Sequence, residues 1–131
     1  MYQQEKTEVM VVDESKFGAA ENFIVRQAVV FIEENCTRKI TLSDAAKACY
    51  ISPWHLSRLI NKHLDRSFYR LLNTARVDRA KRLMPDPALR IGDISELVGF
   101  ADAPHFSRVF KKLEGVSANQ YRNLIQITNN K

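Results

Sequence analysis

The strongest constraint on this chain is that it repeats itself. HLSRLINKHLDRSF at residues 55–68 and HFSRVFKKLEGVSA at 105–118 share His55/His105, Ser57/Ser107, Arg58/Arg108, Lys62/Lys112 and Ser67/Ser117 at a constant offset of 50. Apolar character agrees at Leu56/Phe106, Leu59/Val109 and Ile60/Phe110. Upstream, Leu42-x-Asp44 and Ile91-x-Asp93 match at an offset of 49, so the second copy holds one extra residue in its turn. A supersecondary unit written twice in 131 residues implies two very small subdomains sharing a connecting element and excludes two large independent domains.

Each copy reads as short helix, turn, second helix. Thr41-Leu42-Ser43-Asp44 offers capping oxygens ahead of the alanine-rich run 45–48, and Tyr50-Ile51-Ser52 forms a turn. Ser52 followed by Pro53 is a cap followed by a favoured first-turn residue. Gly99 falls where a left-handed C-cap closes the first helix of the second copy. Before the repeat, Phe17 to Asn35 places Ile24, Ala28, Phe31 and Ile32 on one stripe of an amphipathic helix. Between the copies, Phe68 to Met84 carries Leu71, Leu72, Ala75, Ala80 and Leu83 on one side and is stopped by Pro85 and Pro87. Sustained alternation is absent, so the expected fold is all-α, with two copies of a helix-turn-helix unit joined by a connecting helix. The expected boundaries are a tail or linker over 1–16, a first subdomain over 17–67, the connecting helix over 68–84, a second subdomain over 85–126 and a C-terminal tail over 127–131.

The faces of the two second helices differ in chemistry. Positions 56, 59, 60 and 106, 109, 110 form apolar stripes that must face the body of the domain. The opposite faces carry Trp54, Ser57, Arg58 and Asn61 in one copy and Pro104, Ser107, Arg108 and Lys111 in the other. A helix whose solvent side offers arginine, hydroxyls and an aromatic suits base edges in the major groove, while flanking lysines such as Lys62 and Lys112 suit phosphates. Charge agrees: residues 1–35 hold three Lys/Arg against seven Asp/Glu, whereas 36–131 hold seventeen against eight. A positive field of that kind selects a polyanion, nucleic acid or an anionic membrane. A connecting helix of about 17 residues spans roughly 26 Å, which suits two reading helices about one DNA turn apart.

Other chemistries lack their parts. No stretch approaches a membrane span, and the N-terminus lacks the basic-then-apolar order of a secretory signal. Cys36, Cys49, His55 and His63 are spaced C-x12-C-x5-H-x7-H, without the close ligand pairs of zinc modules, so the cysteines read as packed thiols and no metal or cofactor is expected. No glycine-rich phosphate loop or nucleophile elbow occurs, which argues against an enzyme. His55 and His105 recur without a carboxylate or nucleophile and fit a structural or phosphate-contacting role better than a proton switch. Arg76 and Arg79 on the connecting helix are open between phosphate contacts and a solvated or salt-bridged face; Asp44 and Asp93 read as first-turn helix charges. The rival to DNA binding is a helical protein-interaction module serving a signalling protein, which explains amphipathicity but not the duplicated basic face.

The segment IGDISELVGFADAPHFSRVFKKLEGVSANQYR at 91–122 resembles the signature of the AraC/XylS family of bacterial transcription activators. That signature runs I-x-x-I-A, G-F-x-(D/S), F-x-R-x-F-K, G-x-(S/T)-P and Y-R. The likeness extends over residues 22–124 and includes A-R-V-x-x-A-K-x-L at 75–83. It implies two homeodomain-like helix-turn-helix subdomains, about seven helices in all, bridged by the connecting helix, whose recognition helices at 53–63 and 104–113 enter adjacent major grooves of double-stranded DNA, with activation through RNA polymerase. It further implies a cytoplasmic, nucleoid-associated protein with no membrane partner. Carried over by position, Trp54, Ser57 and Arg58 fall where bases are contacted, and the second helix offers Ala103, Pro104, His105, Ser107 and Arg108. With the cap and flanking positions, the expected DNA-binding set is completed by Ser52, Pro53, His55, Asn61, Lys62, Arg76, Lys111 and Lys112. Departures from the signature are Ser95 for a small alanine, Asp65 for a glycine, Ala118 for a proline and Ile60 for a phenylalanine. Such regulators often carry an effector-binding or dimerisation domain ahead of the DNA-binding region. Residues 1–16 are too short to form one, so the chain reads as a stand-alone monomeric regulator or, as its linker-like start favours, a piece of a longer protein that dimerises elsewhere. Since Ala103 and Pro104 offer bases no side-chain hydrogen bond, the first motif is expected to carry more of the sequence discrimination.

Overall fold

The structure, a computed structural model, describes residues 18–129, with side chains to 126; the predicted tail over 1–16 lies outside the described residues. Among those described there are seven helices and no strand: α1 (Ala19–Asn35), α2 (Leu42–Ala48), α3 (Pro53–Leu64), α4 (Phe68–Leu83), α5 (Ile91–Leu97), α6 (Ala103–Glu114) and α7 (Ala118–Asn129). They form two compact units, one of residues up to Asn35 with Ile40–Leu71, the other of Cys36–Lys39 with Leu72 onward. The division falls inside α4. Part of the segment expected as a C-terminal tail is helical, since α7 runs to Asn129.

In the first unit α1, α2 and α3 close around Val25, Ala28, Ile32, Ala45, Leu56, Leu59 and Ile60, all buried. The stripe expected on α1 is turned. Val25, Ala28, Val29 and Ile32 are buried, while Ile24 and Phe31 are only half-buried and Phe23 and Val30 are exposed. The physical reason is that α1 carries apolar residues around most of its circumference, so periodicity alone does not single out one face. Helix α2 begins with a reciprocal cap: the Asp44 amide donates to Thr41 Oγ1 at 3.2 Å and the Thr41 amide to Asp44 Oδ2 at 2.9 Å.

The second unit has an aromatic core where the first has an aliphatic one. Phe100, Phe106, Phe110 and Tyr121 form a chain with ring centroids 5.3–5.7 Å apart, packed on Val77, Ala80, Met84, Ile94 and Val98. The segment Cys36–Lys39 belongs to this unit and accounts for two of its constraints. Gly99 has φ +107°, and a Cβ there would lie 2.8 Å from the Cys36 carbonyl oxygen and 2.9 Å from that of Thr37. Only glycine fits so close a backbone approach. Arg76 is the second constraint, and here the structure corrects the sequence reading. Instead of facing phosphates it is 9% exposed, donating from Nε to Cys36 O at 2.7 Å and from Nη2 to Arg38 O at 3.2 Å, its guanidinium carbon 5.4 Å from the centroid of the Phe100 ring. Burial lowers its pKa from the usual arginine value.

The departures from the family signature are absorbed locally. Ser95 is buried but donates from Oγ to Gly92 O at 2.9 Å. Ile60 is fully buried and Ala118 nearly so. Asp65 adopts the left-handed conformation (φ 55°, ψ 41°) that Gly115 takes at the same place in the second copy (φ 83°). Aspartate is among the few non-glycine residues that tolerate it.

Candidate nucleic-acid interface

Two helices of equal length carry the candidate face, and their ends are fixed alike. Ser52 Oγ accepts from the His55 amide at 3.1 Å at the start of α3; Asp102 Oδ1 accepts from the His105 amide at 2.7 Å at the start of α6. Each begins with or next to a proline whose missing N–H costs nothing there. Each ends in a left-handed residue, Asp65 or Gly115, whose amide returns to the carbonyl four residues back. The sequence reading named Ser52 as a cap but passed over Asp102. Asp102 stands at the same offset of 50 from Ser52 as His105 does from His55, so an aspartate three residues before His105 was a readable signal.

These caps orient the faces. On α3, Leu56, Leu59 and Ile60 are fully buried, leaving Ser52, Pro53, Trp54, Ser57, Arg58, Asn61 and Lys62 exposed and His55 half-buried. Trp54 is 72% exposed, and the Arg58 guanidinium carbon lies 5.4 Å from its ring centroid, a cation–π contact that pre-orders both side chains in solvent. On α6, Phe106 and Phe110 are buried, with Ala103, Pro104, Ser107, Arg108, Lys111 and Lys112 exposed. His105 is half-buried with its ring edge-on to Phe100 at 5.4 Å, which gives it a packing role. No acidic residue occurs between Asp44 and Asp65, nor between Asp102 and Glu114, so neither exposed face carries a charge that would repel phosphate.

The lysines at equivalent positions are not equivalent. Lys62 donates to Glu21 Oε1 at 3.3 Å, and His63 Nε2 lies 3.0 Å from the same oxygen with its side chain fully buried. The hydrogen bond with His63, and then Lys62, pull the Glu21 carboxyl below its usual pKa. Helix α3 is thereby tied to the start of α1, and its lysine is already engaged. In the second unit Lys81 is held by a carboxylate, 3.0 Å from Glu114; burial opposes its charge, but Glu114, together with Tyr121 and Asp78, raises its pKa.

Among the described residues no group of three or more His, Cys, Asp or Glu is placed to hold a metal ion, and no helix is long and apolar enough to cross a membrane. Cys36 and Cys49 are buried and form no disulfide, and burial raises the Cys49 pKa.

One position the sequence reading treated only as part of a turn stands out. Tyr50 has φ +60° and is 91% exposed, the counterpart of Gly99 in the second turn. Holding a bulky L-residue there costs about 1–2 kcal/mol that glycine avoids.

A sequence profile described as a helix-turn-helix domain matches residues 45–124, more than half of the chain and both motifs together. The chain belongs to the AraC/XylS family. Its AraC/XylS relatives include the lactose operon transcription activator of Staphylococcus xylosus, 36% identical over 105 residues, which are 80% of this chain and 38% of that protein. The bifunctional transcriptional activator/DNA repair enzyme AdaA of Bacillus subtilis is 34% identical over 94 residues, 72% of this chain and 44% of AdaA. The chain thus spans less than half the length of these relatives. Among solved structures, the C-terminal domain of AraT, a response regulator from Geobacillus stearothermophilus, superposes with a TM-score of 0.71 at 39% identity, covering 77% of this chain and 84% of that one. The all-helical architecture with two helix-turn-helix motifs is that of AraC-type DNA-binding domains.

Proposed function

We propose that this chain is the DNA-binding part of a transcriptional activator that inserts α3 and α6 into adjacent major grooves of double-stranded DNA. The observation that carries the reading is the pair of capped helices, each with its apolar stripe turned into its own unit and a face of arginine, hydroxyls and lysine, free of acidic residues, left to solvent. Ser52, Pro53, Trp54, Ser57, Arg58 and Asn61 supply the first contact face; Ala103, Pro104, Ser107, Arg108, Lys111 and Lys112 supply the second. Trp54 and Arg58 act together on base edges, whereas α6 leans on phosphates and thymine methyl groups.

Likeness to the family supports four further parts of the proposal. The chain itself catalyses no reaction, works in the bacterial cytoplasm at the nucleoid, contacts RNA polymerase when bound and is monomeric. The deciding experiment is selection of bound duplexes from a random pool, followed by footprinting. A recovered site protected over two successive major-groove faces supports the proposal. Failure to retain any duplex at low salt, or binding insensitive to salt, overturns it, because neutralising each phosphate steepens the dependence by roughly 0.9 log units.

A further inference from the structure

We propose that Tyr50 is a DNA contact of the first motif, its phenol donating a hydrogen bond to a backbone phosphate at the rim of the groove that α3 enters. This deepens the DNA-binding reading above and rests on it. Tyr50 holds a backbone conformation that tyrosine does not favour. Both motifs need a left-handed residue directly after the C-cap of their first helix. In the second motif Gly99 fills it, and neighbouring carbonyl oxygens exclude any larger residue. In the first motif the same position holds one of the largest side chains, at φ +60°.

The fold draws no packing from that ring. It is 91% exposed, the most exposed of the large apolar side chains, and among the described residues it makes no hydrogen bond or ring contact through its side chain. Backbone strain kept without a packing return points to use at the surface. Chemistry identifies the user. Tyr50 lies two residues before the Ser52 cap and four before Trp54, and its amide donates to the carbonyl of Lys47, an exposed cation. The stretch from Ala45 to Leu64 contains no acidic residue, so the surroundings suit an anion. A side chain in the turn, ahead of the helix rather than on its reading face, falls beside the phosphates that flank an inserted helix, and a neutral hydroxyl donor is among the groups that contact them.

The test uses the full chain and a duplex recovered by selection, comparing wild type with Tyr50→Gly and Tyr50→Phe. Tyr50→Gly relieves the strained conformation, so its thermal midpoint stays level or rises, while its affinity falls by about tenfold on cognate and unrelated duplexes alike. The salt slope stays unchanged, since a neutral donor displaces no counterion. Tyr50→Phe keeps the ring and the strain but loses most of the same affinity. Wild-type affinity in Tyr50→Gly overturns the proposal. So does a parallel loss of affinity and thermal stability, which marks a structural residue, or full affinity in Tyr50→Phe, which removes the phosphate hydrogen bond. Failure of the wild-type chain to bind any duplex overturns the DNA reading itself and is distinct from these outcomes.

Discussion

At the scale of single residues, the two motifs share a framework and differ in what they present. Arg58 stands over an exposed tryptophan, whereas Arg108 rises from a helix that begins Ala103-Pro104. Arg58→Ala is therefore expected to relax base preference at its contacted pair by about 1–3 kcal/mol, and Arg108→Ala to weaken binding with a smaller change in preference. Equal relaxation of both in a binding-site selection would contradict the asymmetry. Gly99 makes a separate claim. Gly99→Ala forces a Cβ into two carbonyl oxygens at positive φ, so thermal or urea unfolding is expected to show a loss of about 2 kcal/mol or more. The sequence showed that Gly99 ends a helix, because the cue is local. It did not show why no other residue fits, because the obstructing carbonyls belong to a segment some sixty positions earlier.

At the scale of elements, legibility follows the range of the interaction. Caps, prolines and the repeat offset lie within a few residues of the helices they define, and α2, α3, α5 and α6 stand where those signals put them. The connecting helix shows the opposite. Arg76 looked like a surface cation because its burial depends on Cys36 and Arg38, about forty residues away. Lys62 looked like a plain phosphate contact because Glu21 is equally remote. The start of α5 carries a prediction in pH. Asp93 accepts the Arg90 amide at 2.9 Å, and this hydrogen bond, with the Arg90 charge, lowers its pKa from 3.8. A carboxylate lowered in the folded state stabilises above its unfolded pKa, and that contribution is lost as pH falls through the folded value. Asp93→Asn should thus lower the unfolding midpoint near neutrality and converge with wild type under strongly acidic conditions. Parallel curves at all pH values would refute it.

At the scale of the whole molecule, affinity for DNA is set by how many cations are available to phosphates. Lys112 and Lys62 occupy equivalent positions, but Lys62 is held by Glu21. Lys112→Ala is expected to reduce the slope of log affinity against log salt by roughly 0.9, and Lys62→Ala by distinctly less, measured by fluorescence anisotropy over a salt series. Glu21→Gln releases Lys62 and should steepen the slope. Matching slopes for the two alanine variants would show that the Glu21 contact gives way to DNA without cost.

The exposed position of Trp54 also makes it an optical reporter. It is the only tryptophan in the sequence and sits on the first reading helix. Excitation selective for indole therefore observes one motif alone, and a titration followed by its emission reads occupancy of the first groove. Footprinting or anisotropy reads the complex as a whole. Any interval between the two curves measures how far the motifs engage DNA one after the other, without a label having been attached.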